Sequence, residues 1–304
     1  MSKKVAVCMT TYNRNGIYQN SLNVLFQQQY RDLKFYVVDD CSTDNTVDKL
    51  VSLTTDFGEI FKAYRTQQHN YIDALNLALR KVEDDIDYIC WCDDDDYYIQ
   101  DKIKKQFDYM EEHPEVDVLG CLTMFGKQNV LAATVNNMTH EDIKAKLEEG
   151  NGMNEICHFQ SCMFRRSVLK LFKDQKYFLP EYIGGRAGEA FLYELYAKGC
   201  VFASINTTAY IYNVDLTGER QSMSTTMIPV FANEINKLPI KERLEKILKL
   251  YAKYNNEEII EEVKEEVKEE TPKKKPGRPK KVKTEEVKEE IPKKKPGRPK
   301  KVKE

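Results

Sequence analysis

Four short apolar runs, each ending in a polar or charged cluster, constrain this chain more than any other feature. VAVCM runs into TTYNR (5–14), FYVV into DDCSTD (35–44), EIFKAYR ends in an arginine, and DYICWC runs into DDDD (87–96). Between them lie IYQNSLNVLFQQQ, TVDKLVSL and IDALNLALRKV, whose apolar side chains recur at helical spacing. Nearly continuous apolar strands alternating with amphipathic helices predict an α/β fold, a mostly parallel sheet flanked by helices. Ligands of such sheets bind at the carboxyl ends of the strands. TTYNR, DDCSTD and DDDD are therefore expected to lie along one edge.

The aspartates at 93–96 raise an electrostatic problem. Like charges in one turn repel, and desolvating them costs several kcal/mol per ion unless something compensates. Hard cations such as Mg2+ and Mn2+ bind through one or two carboxylates plus substrate phosphates. Asp93 and Asp95 alternate in the turn and can face one ion, and without that ion the turn is expected to be mobile. The alternative is a solvated acidic turn, with Asp96 at the positive end of a helix beginning near Tyr97. The loop TTYNRNG contains neither GxGxxG nor GxxxxGK[ST], which argues against a dinucleotide site or a P-loop.

Charge and cysteine usage narrow the class further. Residues 257–304 hold 17 basic and 13 acidic side chains, a net of +4, so the rest carries −6 of the chain's total of −2. In that tail VKEETPKKKPGRPKKVK (267–283) recurs as VKEEIPKKKPGRPKKVK (287–303), a composition that buries no core and predicts disorder. The eight dispersed cysteines form no CxxC pair, so reduced, buried thiols are expected rather than a zinc site or a disulfide framework. No apolar run reaches the ~18 residues that span a bilayer, and a cytoplasmic protein without a transmembrane segment is the expectation, nuclear targeting by the basic tail staying open.

VAVCMTTYNRN, KFYVVDDCSTDNT, the ALNLAL helix and CDDDDYYIQDKI together resemble the GT-A (Rossmann-like) fold of family 2-type glycosyltransferases. The likeness is strong over about residues 4–105 and weaker to about 224. It implies an inverting, metal-dependent glycosyltransferase that moves a sugar from a nucleoside-diphosphate sugar, expected to be a UDP-sugar, to a glycan or glycoprotein hydroxyl. It further implies that Thr10 and Tyr12 line the base pocket, that Asp40 accepts a hydrogen bond from the base beside Asp39, and that Arg65 reaches the nucleotide. Asp94 would lie near the ribose, and Asp93 and Asp95 would hold Mn2+ or Mg2+. Glu189, at the start of the helix in GGRAGEAFLYELYAKG, is the expected general base with Glu181 in reserve, although Ala190 stands where the family has a second acid. Asp215 occupies the place of a late metal-binding histidine, with Arg220 a diphosphate partner and His158 a core histidine or an acceptor contact.

The implied organisation is a nucleotide-sugar half (1–105), an acceptor half (106–225), a C-terminal helix (226–256) and the charged tail (257–304). KKKPGRPKK resembles an AT-hook, which would give Arg278 and Arg298 weak contacts with A·T-rich DNA; the alternative, favoured by the mixed charge, is a solvating charged tail. Two other readings compete. One is a DNA-associated protein with a non-catalytic GT-A domain. The other is a sugar-nucleotide pyrophosphorylase, whose glycine-rich loop TTYNRNG lacks.

Overall fold

The computed structural model describes residues 2–14, 18–125, 130–131, 137–179, 187–212 and 238–252. The first half follows the predicted alternation: β1 (Val5–Thr11), α1 (Tyr18–Phe26), β2 (Leu33–Asp39), α2 (Thr46–Phe57), β3 (Phe61–Arg65), α3 (Tyr71–Arg80) and β4 (Tyr88–Trp91). β1 pairs in parallel with β2 and β4, and β2 with β3, so these four strand ends lie side by side. All seven residues of β1 are buried, as a strand covered on both faces requires. Alternate residues feed two cores. Ala6, Cys8, Tyr36, Val38, Ile89 and Trp91 pack with α3 on one face. Val5, Val7, Met9, Phe35, Val37 and Cys90 pack with α1 on the other. Each such fully buried aliphatic side chain contributes about 1.5–3 kcal/mol.

The second half is mixed. It comprises β5 (Tyr97–Tyr98), α4 (Lys102–Glu112), β6 (Val118–Phe125), β7 (Val130–Leu131), α5 (His140–Glu148), α6 (Met153–Ile156), β8 (Met163–Arg165), α7 (Ala187–Ala197), β9 (Phe202–Tyr212) and α8 (Ile240–Ala252). The strand order is β3-β2-β1-β4-β8-β6-β9-β5 with β7 on β6. β8 runs antiparallel to β4 and β6, β5 antiparallel to β9, and β6 and β9 parallel. The mostly parallel reading holds: β1–β4 and the long β6–β9 ladder are parallel, and the short strands β5, β7 and β8 supply the antiparallel pairs.

Local chemistry accounts for several boundaries. Asn70 caps α3 by accepting from the Ile72 and Asp73 amides. A capping box between Thr139 and Asp142 opens α5. Gly199 takes φ 84° just past α7, the left-handed conformation that ends helices. No helix begins near Tyr97: those residues form β5, and α4 starts at Lys102 after the N-cap Asp101. All eight cysteines are unpaired, seven of them buried.

Candidate active site

Two loops at the carboxyl edge are stitched together by their own polar groups. The Asp40 amide donates to Thr11 O at 2.8 Å, continuing the β1–β2 ladder past the strands. The Asn13 amide donates to Ser42 Oγ, Asn13 Oδ1 accepts from the Thr43 amide, and the Ser42 amide donates to Asp39 Oδ2. These bonds hold Asn13 and Cys41 at φ 49° and 63°, conformations that non-glycine residues adopt only where their surroundings enforce them. Arg65, at the end of β3, donates to Ser42 O at 2.8 Å and lies 3.3 Å from Asp39 Oδ2. Arg65 thus stands beside Asp39 and braces the β2 loop.

The base-pocket residues of the sequence reading come together here. Thr10 and Asp39 are buried, and Asp40 is 2% exposed. Asp40 Oδ1 accepts from Thr66 Oγ1 and from the Asn70 amide, while Oδ2 is buried with no aligned donor among the described residues. The Tyr12 ring stacks on His69 at 4.0 Å between centroids.

The aspartate turn after β4 is held by a residue that the motif contained and that the sequence reading gave no role. Arg14, 6% exposed, donates from Nε to Asp94 Oδ2 at 3.2 Å and from Nη2 to Asp95 Oδ2 at 2.8 Å. Its amide donates to Thr46 Oγ1, which ties the β1 loop to α2. Arg14 thereby offsets part of the repulsion expected within the turn. Asp93 takes a different direction, accepting from Trp91 Nε1 at 3.0 Å and from Gln160 Nε2 at 2.8 Å. Asp96 is not at a helix start; fully buried, it accepts from the Tyr210 hydroxyl on β9. Burial and then the Asp95 charge push the Asp93 carboxyl up to about 6. Burial pushes Asp94 up to about 7 despite Arg14 beside it.

The donor set fits a hard divalent cation. Asp93 and Asp95 are oxygen donors close enough to repel; each Asp93 oxygen already accepts one hydrogen bond, from Trp91 or Gln160, and Oδ2 of Asp95 accepts from Arg14. No third His, Cys, Asp or Glu joins them among the described residues. A cation held by these two carboxylates would take most of its other ligands from outside the protein, as Mg2+ and Mn2+ commonly do.

Glu189 is reached through packing. A Cβ on Gly188 would lie 2.5 Å from Phe159 ring atoms, so glycine permits α7 to abut the turn Phe159–Ser161 whose Gln160 holds Asp93. Glu189 is 3% exposed and accepts from the Asn154 amide. Beyond it, the buried Arg243 of α8 donates to the Tyr193 hydroxyl and to Asn151 O, and Tyr193 accepts from the Met153 amide. His158 is buried and its imidazole is pushed down to about 4 by desolvation, which keeps it neutral. Glu181, Asp215, Arg220, Arg278 and Arg298 lie outside the described residues. Arg14, Gln160, His69 and Arg243 were not singled out from sequence. Only Arg14 carried a signal, as the last residue of T-x-Y-N-R.

Residues 6–172 match the family model described as glycosyl transferase family 2. The chain is 29% identical over 108 residues to a putative teichuronic acid biosynthesis glycosyltransferase, TuaG, of Bacillus subtilis, covering 36% of this chain and 42% of that protein. It is 23% identical over 232 residues to the poly(ribitol-phosphate) beta-N-acetylglucosaminyltransferase TarS of Staphylococcus aureus, covering 72% of this chain and 37% of that one. The chain thus spans about two fifths of the length of these relatives. In fold it resembles S. aureus TarS 1–349 in complex with UDP-GlcNAc, with a TM-score of 0.57 at 20% identity over 70% of this chain and 59% of that one. It also resembles the mannosyltransferase PcManGT of Pyrobaculum calidifontis in complex with GDP-Man and Mn2+, with a TM-score of 0.54 at 18% identity over 72% and 59%.

Proposed function

This chain belongs to glycosyl transferase family 2, and on that premise we propose that it moves a sugar, with inversion, from a nucleoside-diphosphate sugar to a hydroxyl of a glycan or glycoprotein. The observation that carries this reading is the meeting of Tyr12, Asp40, Asp94 and Asp95 at three adjacent strand ends, joined by Arg14. A uracil base is the proposed ligand of Tyr12 and Asp40, with Thr10 and Asp39 behind it, Asp94 toward the ribose and Arg65 toward the nucleotide. Asp93 and Asp95 would hold Mg2+ or Mn2+, with Asp215 as a further ligand. When bound, the cation supplies Lewis-acid stabilisation of the departing diphosphate.

The protein's own groups do the rest. Gln160 and Trp91 orient Asp93 by donating to both of its oxygens. Arg14 fixes Asp94 and Asp95 relative to the β1 loop and so to the base pocket. Glu189 is the proposed general base, removing the acceptor proton as the bond to the sugar forms. Its carboxylate accepts a hydrogen bond from the Asn154 amide.

The test is hydrolysis and transfer from a panel of UDP- and GDP-sugars with and without Mn2+, on the wild type, Asp95→Ala and Glu189→Ala. The expected result is Mn2+-dependent turnover that both substitutions remove. A wild-type protein that neither binds nor turns over any nucleotide sugar would overturn the reading. For the tail we carry the separate proposal that Arg278 and Arg298 give weak affinity for A·T-rich DNA. Duplex binding unchanged by deletion of 257–304 would remove it. No helix among the described residues is long and apolar enough to cross a membrane, and a cytoplasmic site of action is proposed.

A further inference from the structure

We propose that His69 is a built-in placeholder for the nucleobase, stacked on Tyr12 in the unliganded protein and displaced when a nucleotide enters. The inference rests on the nucleotide-sugar reading above and adds a residue which that reading does not use.

Three observations meet at one side chain. The His69 imidazole lies nearly parallel to the Tyr12 ring, 18° between planes and 4.0 Å between centroids. Its Nδ1 lies 2.9 Å from Asp40 Oδ2 and 3.3 Å from the Asp40 carbonyl oxygen. Oδ2 is the buried oxygen without an aligned donor, while Oδ1 of the same carboxylate is saturated by Thr66 and Asn70. A flat, nitrogen-bearing ring therefore stacks on the tyrosine with a ring nitrogen beside the acceptor, the two contacts that a base with a ring N–H would make. The imidazole makes the second one poorly, since its nitrogen is shared between two oxygens. A buried carboxylate oxygen left without a well-placed donor costs free energy that a better-aligned N–H recovers.

The histidine is built to leave. Its side chain is 51% exposed, and among the described residues it stacks on Tyr12 and meets Asp40. The next residue, Asn70, is pinned through its amide to Asp40 and through its side chain to the first turn of α3. Rotation about the His69 side-chain torsions clears Tyr12 without moving the backbone. A pocket closed by its own side chain binds ligand only in the fraction of molecules where it is open, so the apparent affinity falls by that fraction.

The test uses the full chain, with UDP and GDP as probes in the presence of Mn2+, by titration calorimetry on the wild type and His69→Ala. Removing one aromatic stack should tighten binding about two- to tenfold. In parallel, the His69 Hε1 resonance, shifted upfield by the Tyr12 ring current in the free protein, should move downfield when UDP is added. Unchanged or weaker binding in His69→Ala would make His69 a wall of the pocket and overturn the proposal, as would an Hε1 signal that stays upfield at saturation. Failure of both proteins to bind either nucleotide would instead overturn the nucleotide-sugar reading and this proposal with it.

Discussion

Arg14 donates to Asp95 at 2.8 Å, closing an ion pair across 81 residues of sequence. The same guanidinium holds Asp94, so one buried cation on the β1 loop balances the acidic turn after β4. The β1 loop also carries Tyr12, and the turn carries the proposed metal ligands. Arg14 therefore sets the spacing between the proposed base pocket and the proposed metal ligands.

Replacing Arg14 with Met leaves Asp94 buried beside two other acids with no cation. Removing one partner of a buried pair costs about 3 kcal/mol, or roughly 6–12 °C in Tm for a domain of this size. Excess Mn2+ should recover part of that loss, because a cation that binds only the folded site stabilises it. Thermal denaturation with and without Mn2+ measures both; an unchanged Tm would show that Arg14 is not the counter-charge of the turn.

Metal affinity should fall with pH. Asp93 is pushed up to about 6 and Asp94 to about 7, so both gain protons as pH drops through that window. A cation needs ionised carboxylates, and a single ligand titrating near 6 predicts roughly tenfold weaker binding at pH 5 than at pH 7.5, with proton release on binding. Folded values above the ordinary carboxylate range mean that these groups favour the metal-free fold at low pH, and lose that contribution as pH rises through 6 to 7. Calorimetry in buffers of different ionisation enthalpy counts the protons; binding that is flat from pH 5 to 8 would contradict the assignment.

Gly188→Ala should be costly out of proportion to one methyl. The added Cβ would sit 2.5 Å from the Phe159 ring, and the turn it pushes against carries Gln160. Overpacking of this kind costs about 1–3 kcal/mol. We expect a lower Tm together with weaker Mn2+ binding, because Asp93 loses the Gln160 donor. Normal metal affinity in the folded variant would separate the two effects and refute the link.

Arg243→Met tests whether α8 belongs to the acceptor side of the site. Arg243 is 1% exposed and ties the Tyr193 hydroxyl, Asn151 O and Leu238 O together, next to the Asn154 amide that holds Glu189. The expected outcome in steady-state kinetics is a reduced kcat with the donor KM little changed, since Asn151, Asn154, Tyr193 and Glu189 all lie in the second half of the chain. A change confined to donor KM would argue the reverse.

The alternation of apolar strands and amphipathic helices, with polar residues at each strand end, determined the parallel half of the sheet and the edge where ligands should bind. Those signals are local: period, length and capping are written in consecutive residues. That Thr10, Tyr12, Asp39, Asp40, Arg65 and the aspartates 93–95 lie at or just beyond the ends of parallel strands was legible in this local order, whereas the roles proposed for them came from the family resemblance. Tertiary structure alone decided what the acids do with one another. Four adjacent aspartates look equivalent in sequence, yet Asp93 turns to Trp91 and Gln160, Asp94 and Asp95 to Arg14, and Asp96 to Tyr210. Those partners lie up to 114 residues away, on elements whose place in the sheet no local pattern reports. A carboxylate's role follows from which donor reaches it and how much water remains around it, and both are settled only when distant segments pack.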